Sequence, residues 1–94
     1  MAKGDVDSAI REYEIGLRQA PQDERLLHNL AVAWLEKGNL HASRRENGQA
    51  AYSFLKALEY APHLAPAREK LIKARENSET NEFTAESEPG KALE

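Results

Sequence analysis

The chain has no cysteine, and this absence alone removes disulfide frameworks, thiolate metal sites and cysteine nucleophiles while leaving the redox compartment open. No stretch approaches the eighteen or more apolar residues that a membrane span needs, and no basic-then-apolar leader opens the chain. The expectation is therefore a soluble protein with no membrane partner, the cytoplasm being favoured. Also missing are a Gly-x-Ser-x-Gly elbow, a phosphate loop and a dinucleotide glycine fingerprint. His28, His41 and His63 lack the spacing that sets metal ligands on one face of a helix. Asp5 and Asp7 suit a helix start better than an acid–base dyad. No catalytic site, metal or cofactor is expected, and so no enzyme.

A surplus of charge of one sign is missing too, once the chain is divided. The net charge is −3, but residues 1–75 hold twelve Lys/Arg against ten Asp/Glu, whereas residues 76–94 hold one lysine against six glutamates. A nucleic-acid surface would show a clustered basic stripe, and Arg44-Arg45 is the only adjacent basic pair. No nucleic-acid partner is expected. Ninety-four residues allow one small domain, whose core rarely supplies more than a few kcal/mol.

What the chain does have is an internal repeat. Ala9-Ile10-x-x-Tyr13-x-x-Gly16-Leu17-x-x-Ala20-Pro21 returns as Ala50-Ala51-x-x-Phe54-x-x-Ala57-Leu58-x-x-Ala61-Pro62, and Leu27-x-x-Leu30-Ala31-x-x-Trp34 lies between the copies. A repeat of this kind means one supersecondary unit stacked on itself. The order Leu27, Leu30, Ala31, Trp34, Ala50, Phe54, Pro62 resembles the tetratricopeptide repeat family, whose pattern runs W-x2-L-G-x2-Y, A-x3-F and P over about 34 residues. The resemblance covers roughly Gly4 to Arg75, with Arg75 standing where a third repeat would place an aromatic. It implies an all-α fold of antiparallel helix–turn–helix repeats, wound into a right-handed superhelix of about four helices, over a domain at residues 4–78. It also implies a binding scaffold.

Local signals place the helices. Val6, Ala9, Ile10, Tyr13, Gly16, Leu17 and Ala20 form one stripe from Asp5 to about Gln19, with Asp5 as cap and Pro21 as stop. Asp23 caps a second helix predicted to end near Lys37, with Gly38 as its left-handed terminator. A third helix carries Ala50, Phe54, Ala57, Leu58 and Ala61 and closes at Pro62. A fourth runs from about Leu64 into the late seventies, with Pro66 harmless in its first turn. Tyr13, Trp34 and Phe54 read as core.

Pro21 to Pro62 is 41 residues, seven more than the family period, and Leu40–Glu46 is the apparent insertion. Two readings stay open. Ser43-x-x-Glu46 is a capping-box pattern that starts the third helix early, while Asn47-Gly48 is a turn signal that favours a loop. Residues 79–94 read as a disordered acidic tail, and Leu93-Glu94 as a cloning remnant on a piece of a longer protein.

What remains is a surface. In stacked helical hairpins the first helix of each repeat lines a concave groove, and the residues off the Leu30/Trp34 stripe are Arg25, His28, Asn29, Val32, Leu35 and Glu36. Glu69, Lys70 and Lys73 hold the matching places on the fourth helix. Some members of the family clamp a peptide carboxylate there. Asn29 matches their asparagine, Lys70 stands where an arginine is usual, and Pro66 fills a lysine place. The partner expected is a protein or peptide, with a structural or self-association role as the alternative. Ile15 lies about 180° from Val6 and Tyr13, an apolar residue with no core to enter, so the chain is expected to be a monomer or a weak homodimer.

Overall fold

Proline sets the rhythm of the chain. In the structure, a computed structural model that describes residues 5–77, α1 (Asp5–Gln19) stops just before Pro21 and α3 (Asn47–Tyr60) just before Pro62. Between them lies α2 (Glu24–Ser43), and a fourth helix, α4, occupies residues 65–77. No strand occurs among the described residues. The Asp23 carboxylate accepts hydrogen bonds from the backbone N–H groups of Arg25 (2.9 Å) and Leu26 (3.2 Å), so the predicted cap of α2 is in place. The tail expected at 79–94 lies outside the described residues.

Consecutive helices fold back on each other. Asp7 meets Lys37 at one end of α1 while Gly16 sits against Leu26 at the other, so α1 and α2 run antiparallel. His41 bonds Glu46 beside the turn and Gly38 lies against Phe54 further along, so α2 and α3 do the same. The core is continuous through the stack. Ile10, Leu30, Ala31, Ala33, Trp34, Ala57 and Ala67 form one buried cluster, and Ala50, Phe54, Leu71 and Ala74 form a second.

The region around Gly38 departs from its sequence reading. Gly38 does not end α2, which runs on to Ser43, and none of the described glycines has a positive φ. A Cβ at Gly38 would fall 2.4 Å from Phe54 Cε1, so the position needs a residue without a side chain in mid-helix. The extra residues neither loop out nor lengthen the third helix. Leu40–Ser43 add a turn to the second, and the left-handed step comes later, at Arg45 (φ 63°). The capping box does not form either. The Ser43 hydroxyl donates back to Leu40 O at 2.7 Å, and Glu46 bonds the His41 ring at 2.7 Å instead of capping α3. Asn47-Gly48, read as a turn, opens α3.

Two repeat-related clefts

Two clefts among the described residues bear on the expected groove. The first, about 260 Å³, lies between α1 and α2 and is lined by Ala9 and Tyr13 on one side and His28, Asn29, Val32, Ala33 and Glu36 on the other. The second, about 130 Å³, has Phe54 at its floor, Lys70, Lys73, Ala74 and Asn77 of α4 on one side and Asn39 and Ala42 of α2 on the other, with Asn47 at the edge.

A shift of 41 residues superposes one lining on the other. Tyr13 becomes Phe54, Asn29 becomes Lys70, Val32 becomes Lys73, Ala33 becomes Ala74 and Glu36 becomes Asn77. The same cleft is built twice, and the helix rule that places residues of like register on one face explains why. They differ in one wall. In the second copy the run of α2 past Gly38 supplies Asn39 and Ala42, and no described helix takes that place in the first.

The residues expected in one groove are thus shared between two clefts. His28, Asn29, Val32 and Glu36 line the first, and Lys70 and Lys73 line the second. Asn29 and Lys70, the two clamp-like positions, stand one repeat apart on α2 and α4. Arg25 and Glu69 are exposed but line neither cleft. Leu35 lines neither cleft; it is half-buried and packs against both core clusters, tying the two halves of the core together. Reading the chain one residue type at a time misses Tyr13 and Phe54 as cleft floors and Asn39 and Ala42 as a wall. The 41-residue shift is the signal that finds the floors. The wall belongs to the run of α2 past Gly38 and has no counterpart to point to it.

The chemistry of the two differs. The first combines an aromatic and a branched aliphatic residue with one histidine and one carboxylate, and the second presents two ammonium groups and three carboxamides. On the far side of α2, Lys37 and Lys56 flank the Trp34 ring at 5.2 and 5.9 Å from its centroid, and Tyr52 meets it edge-on at 5.9 Å. Burial pulls the Lys56 ammonium downward, yet its hydrogen bond to Glu59 and the nearby Tyr60 and Tyr52 outweigh this and raise it above 10.5. The hydrogen bond from Lys37 holds the Asp7 carboxyl below 3.8 in spite of a smaller opposing effect of burial.

Among the described residues no group of three or more His, Cys, Asp or Glu is arranged to hold a metal ion, and no helix is long and apolar enough to cross a membrane. Compared with known proteins, the chain matches no family model, no curated protein and no solved structure.

Proposed function

We propose that the chain is a protein-interaction scaffold of tetratricopeptide-like architecture that binds a peptide or partner helix along α2 and α4, with no chemistry of its own. The observation that carries this reading is the duplication of the cleft, an apolar-floored site beside Tyr13 and Val32 followed one repeat later by a cationic one at Lys70 and Lys73. A segment with an apolar side chain for the first and a carboxylate for the second matches that order. Open clefts of this size hold little of a ligand's surface, so binding is expected in the micromolar range or weaker.

Titration of an acidic amphipathic peptide into isotopically labelled protein tests the reading. Amide shifts should cluster on Asn29, Val32, Glu36, Lys70 and Lys73 and weaken as salt rises. Shifts confined to the outer face of α3 or to the turn at Arg44 would remove the site from these residues. A second reading, self-association, is favoured by the exposure of Ile15, 52% open to solvent on a helix whose apolar stripe is otherwise buried or half-buried.

A further inference from the structure

Among the described residues Ile15, Tyr52, Leu55 and Ile72 are large apolar side chains that stand exposed, and the repeat explains two of them together. Moved forward by 41 residues, Ile15 falls on Lys56, the α3 residue that lies over Trp34. Moved back by the same number, Ile72 falls on Ala31, which is fully buried in the core cluster that α2 shares with α3. The α1 face that carries Ile15 is therefore the counterpart of the α3 face covered by α2, and the α4 face that carries Ile72 is the counterpart of the α2 face covered by α3. Each exposed face is one half of a seam that the molecule already builds once.

The side chains around the two isoleucines support pairing these halves. Arg75 stands at the place of Trp34 and Ile15 at the place of Lys56, which lies over the Trp34 ring, and Glu12 stands at the place of buried Ser53 on the same α1 face. Ile72 replaces Ala31 where Gly16 replaces Ala57, a larger residue against a smaller one. Arg75 brings its apolar stem to Ile15, reversing the pairing of Lys56 with Trp34. Arg11, at the place of Tyr52, opposes Arg75 with like charge and keeps the contact weak.

We infer that a second copy of this chain occupies each face, the α4 of one molecule docking on the α1 of the next through Ile72 and Arg75, as α2 docks on α3 around Ala31 and Trp34. The inference rests on the self-association reading and is independent of peptide binding in the clefts. The contact is head-to-tail, so each pairing leaves one face of either kind free, and the assembly grows past the dimer with concentration.

Sedimentation of the wild-type chain and two single variants, Ile15→Glu and Ile72→Glu, tests it up to about 1 mM, a concentration at which contacts worth only about 4 kcal/mol become populated. Both positions are 52% exposed, so unchanged helical circular dichroism is expected for each variant. The wild-type mass should rise with concentration, and either substitution should weaken association at least about tenfold. An equimolar mixture of the two variants should recover a dimer and go no further, because the intact α4 of one meets the intact α1 of the other. If a glutamate at residue 15 or 72 disturbs folding, Arg11→Glu tests the seam through charge: it turns the Arg11–Arg75 repulsion into attraction and should strengthen association, and no change would overturn the inference. Association that survives Ile72→Glu would mean an α1–α1 dimer and would overturn the inference. So would a mixture that stays monomeric, a wild-type chain monomeric throughout, or association gained only when residues 78–94 are removed, which would place that segment on α4.

Discussion

α1 and α3 carry the same sequence pattern and have different fates. Ala50, Phe54 and Ala57 of α3 are 0%, 1% and 0% exposed, whereas their counterparts Ala9, Tyr13 and Gly16 in α1 are only half-buried. The difference comes from neighbours, since α3 has α2 on one side and α4 residues Leu71 and Ala74 on the other, while among the described residues α1 packs mainly on α2. A repeat motif thus specifies what a helix can bury, and its place in the stack decides how much of that is realised.

The largest expected break in this comparison is Phe54→Ala, which opens a cavity between three helices and should cost about 3–5 kcal/mol, against less than half of that for Tyr13→Ala. Urea unfolding of both variants provides the check. Equal losses would mean that the two helices are equally covered.

Next come the two glycines that face a neighbouring helix. Gly38→Ala forces a methyl group into the Phe54 ring, 2.4 Å from Cε1, so that the ring must shift, and should cost about 1–3 kcal/mol. Gly16→Ala meets only the end of the Leu26 side chain, at 3.1 Å, and gains about 1 kcal/mol of helix propensity. A neutral or stabilised melting curve is expected for Gly16→Ala. Destabilisation comparable with that of Gly38→Ala would show α1 held as firmly as α3.

Which parts of this were legible in the sequence depended on where the deciding partner lies along the chain. The ends of α1 and the Asp23 cap were readable because proline and aspartate act on backbone groups within three residues of themselves. Gly38 was misread because its requirement comes from Phe54, sixteen positions away and on another helix, and glycine before a polar stretch gives the same local signal as a helix terminator. The run of α2 past Gly38 and the wall it contributes were hidden for the same reason. The candidate residues were legible as solvent-facing positions, since register alone fixes a face, but their division between two clefts required knowing how α4 stands beside α2.

The smallest effect concerns the clip that holds the first helix. Asp7 and Lys37 meet at 2.9 Å, and the Asp7 carboxyl is lowered below 3.8, so its ionised form is favoured by folding. The stability it adds is present at neutral pH and is lost as pH falls through the lowered value. With the Asp7 side chain about half exposed, the contribution should stay below about 1 kcal/mol. Wild type and Asp7→Asn should therefore differ slightly at pH 7 and converge below pH 3.8, as followed by thermal melting. A gap that persists in acid would assign the effect to something other than this ion pair.

Trp34 is the sole tryptophan of the chain, 9% exposed at the α2–α3 seam and flanked by two ammonium groups. The molecule therefore carries one indole, which can be excited apart from its three tyrosines and is positioned to register separation of α2 from α3. Peeling of α1 shifts helical circular dichroism while leaving most of the indole's surroundings in place. Loss of the second hairpin moves both signals. A gap between the two optical transitions measures how far the once-covered helix comes undone ahead of the twice-covered one.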